Sequence, residues 1–150
     1  MNEYVIRKKE ALITRYEKST ATVGGTDREI YETIEALCRN TFQSMYRTII
    51  EGRCCEVCTR TTNLQRCHGR RTRIDIAMEA IRTTECIGPN GLRYRHLIMI
   101  KFVALHEHEP IKIMCPPCHS AHDNPPLRLK LEIGQGTVVV YIIRRRLKIP

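Results

Sequence analysis

Four of the eight cysteines in this chain of 150 residues stand as two Cys-x-x-Cys pairs, Cys55 with Cys58 and Cys115 with Cys118. Two residues between cysteines let a tight turn aim both thiolates at one ion about 2.3 Å away, and two such turns complete a tetrahedral site with no open position. The chemistry predicted for these four side chains is structural zinc (Zn²⁺) binding, not reaction at the metal. Unligated core thiols are the alternative, and two matched pairs speak against it. Cys54 competes with Cys55 for the ligand role, while Cys38 and Cys86 are expected to be core or unpaired thiols. Between Cys58 and Cys115 lie 56 residues, more than an ordinary zinc ribbon holds, so a helical insertion must fold back between the two turns.

Around the first pair, residues 54–71 read CCEVCTRTTNLQRCHGRR, and the second pair runs directly into His119 and His122. Neutral imidazole is the side chain best matched to proton abstraction near pH 7. His119 and His122, three apart, can share one face of a helix and bind a metal or a phosphate there. A strand-end polar contact for His68 and solvent exposure for the other two are the plainer alternatives. His106 and His108, in HEHE, could form a ligand pair, with a solvated loop as the plainer expectation. Arg66, Arg70, Arg71 and Arg73 suit contacts to a nucleic-acid backbone, because guanidinium groups match phosphate geometry; solvated surface charge is the alternative. Arg144, Arg145 and Arg146 are adjacent and cannot all face one way in a strand. The six tyrosines are dispersed and form no platform for stacked bases.

Taken together, these motifs resemble the HNH nucleases of the ββα-metal class: Cys-x-x-Cys, a strand ending in His68, then Cys-x-x-Cys-His with a further polar ligand one helical turn on. The resemblance covers residues 54–123 and includes neither the first 50 residues nor the C-terminal hairpin. It implies a zinc-held β-hairpin packed on a short helix, with a groove that binds one catalytic divalent cation, Mg²⁺ or Mn²⁺. It also implies hydrolysis of phosphodiester bonds in nucleic acid, DNA first. Carried onto this sequence, it makes His68 the general base and His119 or His122 the helix ligand of the divalent cation. Two positions depart from the pattern. Cys67 stands where the family has an Asp or His ligand, and a soft thiolate suits zinc better than Mg²⁺. Pro110 stands at the expected middle Asn and has no side-chain hydrogen bond to offer; His108, Glu109 or Asn90 could substitute.

The elements that must position these groups follow from pattern. Val5, Ile6, Leu12, Ile13 and Tyr16 predict a helix over 3–18, ended by Gly24 and Gly25. Thr26 and Glu29 form a capping box, and Ile30, Ile34, Leu37, Thr41, Met45 and Ile49 carry a second helix to Glu51. A strand is expected around Leu64 to Cys67, then a helix over 72–84 with Ile74, Met78 and Ile81 on one face. A loop should occupy 86–91, a buried helix or strand 93–107, and a short strand 111–114. Pro116 and Pro117 open a helix that Pro125 and Pro126 limit to two turns. Leu127, Leu129, Leu131 and Ile133, then GQGT and VVVYII, predict a hairpin.

The predicted class is α+β: N-terminal helices over 1–52, then over 53–150 a zinc-stabilised ββα-metal-like core with a helical insertion and a C-terminal β-hairpin. The two parts are short enough to form one compact domain. Residues 1–52 hold eight basic and eight acidic side chains, so the net charge of +9 arises wholly in 53–150. A field of that sign attracts nucleic acid, and also acidic proteins or membrane surfaces. No stretch has signal-peptide or membrane-spanning character, and paired thiols without an export signal imply an intracellular, reducing compartment, cytoplasmic or nuclear. The N-terminal helices are expected to dock on the basic part, to pair with a second copy as a homodimer, or to form a purely intramolecular core layer. Three functions stay open: a nuclease, a non-catalytic zinc-stabilised nucleic-acid module, and an assembly subunit.

Overall fold

The computed structural model describes residues 3–107 and 109–124 in full and the backbone of residues 128–134 and 137–143. Helix α1 (Glu3–Glu17) buries Val5, Lys9, Leu12 and Tyr16 along one stripe. A two-residue strand β1 (Thr22–Val23) follows, and then α2 (Asp27–Met45), whose start is fixed by the Thr26–Glu29 capping box. The expected run to Glu51 is broken at Tyr46, after which Arg47–Ile50 form a tighter 3₁₀ turn. The cause is a capping interaction: Arg66 Nη1 donates to the carbonyls of Tyr46 at 2.9 Å and Arg47 at 3.2 Å, satisfying groups left open at the helix end.

Strand β2 (Gln65–His68) leads to α3 (Arg73–Thr83), which again carries a capping box, Thr72 with Asp75. Strand β3 (Arg93–Tyr94) pairs antiparallel with β1, and α4 (Arg95–Leu105) follows directly. Strand β4 (Ile111–Met114) and helix α5 (Pro116–Asp123) complete the described chain before β5 (Arg128–Gly134) and β6 (Thr137–Ile143). These last two pair antiparallel from Arg128 opposite Ile143 to Gly134 opposite Thr137. The hairpin expected from the sequence is therefore present in the backbone, while Arg144, Arg145, Arg146 and His108 lie outside the described residues. The α+β class is observed.

One helical core joins the N-terminal helices to α3 and α4. Val5, Leu12 and Tyr16 of α1, Ile30, Ile34, Cys38 and Met45 of α2, Ile76 and Ile81 of α3, and Ile98, Met99 and Phe102 of α4 are buried together. The apolar faces of α1 and α2 are thus covered within the chain, and a homodimer would have to use their outer faces. Helix α3 is turned relative to expectation: Ile76, Ala77, Ala80 and Ile81 are buried, whereas Ile74 is 44% exposed. Two alanines on the inward face let α3 approach its neighbours closely, and that gain outweighs burial of Ile74. Among the described residues no helix is long and apolar enough to cross a membrane.

The 86–91 loop is pinned by Arg93, which is 8% exposed and donates from Nε to Thr84 O at 3.0 Å and from Nη1 to Gly91 O at 2.9 Å. Gly91 has φ +66°, and a Cβ there would sit 2.6 Å from Gly25 O, so only glycine fits this crossing.

Candidate metal centre and the histidines beside it

Strands β2 and β4 pair antiparallel, Gln65 opposite Met114 and His68 opposite Ile111, and Met114 runs straight into Cys115. Cys115 is the N-cap of α5, Pro116 and Pro117 fill its first turn, and His119 N–H closes that turn on Cys115 O at 2.9 Å. Proline is suited to these positions because their amides have no helical partner to lose. The other pair lies on a tight turn in which Thr59 N–H reaches Cys55 O at 2.9 Å and Cys55 N–H reaches Arg60 O at 2.8 Å. Thr59 takes φ 61°, an uncommon value for a β-branched residue. That turn is tied to β4 twice: Glu56 N–H donates to Ile113 O at 2.9 Å, and Ile113 N–H to Glu56 Oε1 at 3.0 Å.

The ββα arrangement brings four sulfurs from distant parts of the chain to one place. The Sγ atoms of Cys55, Cys58, Cys115 and Cys118 all lie within 4.8 Å of one another, with Cys58 and Cys115 at 3.5 Å. Tetrahedral coordination with bonds of about 2.3 Å separates sulfurs by about 3.8 Å, so the cluster fits a metal such as zinc with small adjustment. The electrostatics agree. Backbone N–H groups of Cys115, Cys58 and Val57 lower the Cys55 thiol to about 6 against the opposing effect of burial. The sulfur of Cys115, burial, and the sulfurs of Cys58 and Cys55 push Cys118 up to about 12. The first thiolate is welcome there, and the last needs a cation among them.

Cys54 is exposed and outside the cluster, Cys86 is exposed, and Cys38 is a buried core thiol pushed up to about 12 chiefly by burial. Cys67 is also outside the cluster. It packs with Cys55, Met114 and Cys115 in a second, small core, its Sγ 3.3 Å from Lys112 O, and burial raises it to about 11. It is a protonated packing residue in this environment.

Alternation along β2 sends its side chains two ways. Gln65 and Cys67 turn toward α5 and the small core: Gln65 Oε1 is 2.8 Å from His119 Nδ1. Arg66 and His68 turn toward α2 and α4. The His68 ring stacks on Phe42 with centroids 4.3 Å apart and an interplanar angle of 22°, and its Nε2 is 3.1 Å from Nε2 of His106. Burial, the largest influence on each ring, brings both down to about 4, so both are neutral at pH 7.

His119 Nε2 is 3.1 Å from Asp123 Oδ2, and His122 Nδ1 is 3.3 Å from Asp123 Oδ1. One carboxylate therefore touches both rings. Among the described residues, however, the four cysteines are the only group of three or more His, Cys, Asp or Glu ligand atoms gathered within 4.8 Å. His68 belongs to no such group, and His119, His122 and Asp123 are not gathered that closely either.

The arginines expected to hold phosphate have partners within the protein itself. Arg66 caps the end of α2, and Arg73 Nη2 is 2.9 Å from Glu35 Oε1. Arg71 pairs with Glu79 and, at 3.3 Å, with Glu109 Oε2, and donates to Leu105 O. Arg70 and Arg60 are exposed, and Arg53, exposed near the first cysteine turn, lies 3.7 Å from Glu56 Oε1.

His106 is buried against expectation, and Glu109, considered only as a substitute for the middle Asn, holds the loop after His68. Glu109 is buried and accepts the backbone N–H groups of Arg70 at 2.8 Å and Arg71 at 2.9 Å, besides the Arg71 side chain. Burial alone would raise its pKa, but the amides of Arg71 and Arg70 and the guanidinium outweigh it and hold it below the usual carboxylate value. His106, expected in a solvated loop, is 1% exposed. Met99, Phe102, Val103 and His106 follow one helical stripe, and extending the α4 periodicity by one more step would have placed the imidazole inside.

The loop after His68 is tightly drawn. Gly69 N–H donates to Pro110 O at 2.7 Å, and a Cβ on Gly69 would meet Pro110 Cγ at 2.8 Å and Pro110 O at 2.9 Å. Gly69→Ala is expected to cost about 1–3 kcal/mol in urea denaturation through this overpacking. A change under 0.5 kcal/mol would show that the loop is looser than described.

The chain matches no protein-family model, no curated protein and no solved structure.

Proposed function

We propose that this chain is a zinc-stabilised module of HNH-like build that binds nucleic acid, DNA first, and hydrolyses its phosphodiester bonds. The observation that supports it is the convergence of four sulfurs at one end of the β2–β4–α5 unit, with His68 at the other end of β2. Zinc at these sulfurs is structural, since four thiolates leave no position for water.

In this reading His68 is the general base. It is neutral at pH 7 and can accept a proton from water; that oxygen bonds to phosphorus as the bond to the leaving oxygen breaks, and solvent protonates the leaving group. A base near 4 is weak, but a phosphate bound beside it would raise it, because a nearby anion favours imidazolium. Mg²⁺ or Mn²⁺ would neutralise phosphate charge, with His119 and His122 on α5 as the residues to hold it. Arg70, with Arg53 and Arg60, offers the outward positive charge for the backbone.

The second reading is a binding module without catalysis. It is favoured by the enclosure of His68 between Phe42 and His106.

Incubation of supercoiled plasmid with the zinc-loaded protein and Mg²⁺ or Mn²⁺ separates the two. Hydrolysis predicts nicking that falls at least about 100-fold in His68→Ala while the zinc content is unchanged. Intact plasmid, with a mobility shift that weakens steeply as salt rises, supports the binding module instead. Neither nicking nor a shift would leave the assembly-subunit reading.

A further inference from the structure

The geometry points to His106 as the positioning residue for His68: it fixes the tautomer in which Nε2 of His68 carries the proton and Nδ1 the lone pair. This assignment rests on the hydrolytic reading above. His106 Nδ1 is 2.7 Å from Phe102 O, and a carbonyl only accepts, so that nitrogen bears the hydrogen. In a neutral ring Nε2 is then bare. It faces Nε2 of His68 at 3.1 Å, and two bare nitrogens at that distance repel, so His68 supplies the proton.

The chain of donors runs from His68 through His106 to the backbone of α4, which is part of the buried helical core. Aromatic walls hold both rings in place. Phe42 stacks on His68, and Phe102 meets His106 edge-on with centroids 4.5 Å apart. The lone pair on Nδ1 of His68 is thereby the atom that takes the proton from water, while the oxygen of that water bonds to phosphorus and the leaving oxygen takes a proton from solvent. His106 touches neither water nor phosphate; it acts through His68. A bare Nε2 backed by an Nδ1–H···O=C bond is also how metal-binding histidines are held. The described residues, however, gather no third ligand with this pair.

Two measurements on the zinc-loaded full chain test the assignment. Long-range ¹⁵N–¹H correlation of the His68 ring is expected to show the Nε2–H form. Plasmid nicking in Mg²⁺ is expected to show kcat falling about 10- to 100-fold in His106→Leu with KM unchanged, and recovering to within about threefold in His106→Gln, whose amide oxygen can accept the same bond. Zinc content and circular dichroism check that the leucine variant folds; if it does not, the tautomer and the glutamine variant decide. An Nδ1–H form of His68 in a protein that nicks overturns the positioning alone, as does equal kcat in all three proteins. A second zinc equivalent lost from both variants also overturns it, in favour of a metal between the rings. Intact plasmid with the unsubstituted protein overturns the hydrolytic reading itself, whichever tautomer is seen.

Discussion

Chelation of zinc held at the four sulfurs, or Cys115→Ser, is expected to unfold the β2–β4–α5 unit and leave α1 to α4 helical. The small core beneath the cluster consists of Cys55, Cys67, Met114 and Cys115 with Leu64 and Cys118 at its edge. That is far too little apolar surface to hold two four-residue strands and an eight-residue helix against their conformational entropy, at about 1–2 kcal/mol per ordered residue. Zinc bound to such ligands contributes about 10–16 kcal/mol of apparent free energy, comparable with the entire stability of a domain. The helical layer has its own core and no ligand in it. Hydrogen exchange should therefore show loss of protection in 111–123 on chelation while amides of α2 and α4 stay protected. Uniform protection before and after would mean that the cysteines are ordinary core residues.

The second large effect is on the acid side. His68 and His106 are both neutral in the fold and brought from 6.5 to about 4, by burial first. The unfolded chain takes up protons that the folded chain refuses, so stability is fully present above pH 6.5 and is lost as pH falls toward 4. For His106 a shift of that size corresponds to about 3 kcal/mol, and the partly exposed His68 adds less because solvent screens it. The facing groups divide: Glu109 opposes the shift in both rings and Asp123 and Asp75 oppose it at His68, while Arg73 at His68 and Lys9 at His106 reinforce it, so burial sets the direction. Urea midpoints recorded from pH 7 to pH 4 should fall steeply, and His106→Leu should flatten the part of the slope due to the rings. Zinc release in acid adds a separate slope that the variant keeps. An unchanged slope in His106→Leu would show that these rings are not neutral in the fold.

Much of this was legible in the sequence because the information is local. A capping box at Thr26, two prolines after Cys115 and a strict Cys-x-x-Cys spacing each act over one turn of chain, and each element starts where they place it. The misses share a different cause. Which face of α3 is buried depends on how closely α2 and α4 approach, and Ile74 lost to two alanines. The end of α2 is set by Arg66, 20 residues further along, and no local signal at Tyr46 announces it. The arginines of residues 66–73 read as a phosphate-binding run because their partners Glu35, Glu79 and Glu109 stand elsewhere in the chain. His106 lies where the helix period meets a charged stretch, and the flanking charges mask the period that places it inside.

Zinc K-edge X-ray absorption on the purified full chain tests the central claim most directly. One zinc per chain with four sulfurs at about 2.3 Å is the predicted spectrum. A shell containing nitrogen or oxygen ligands, or a protein that carries no tightly held zinc, would contradict the account at its foundation.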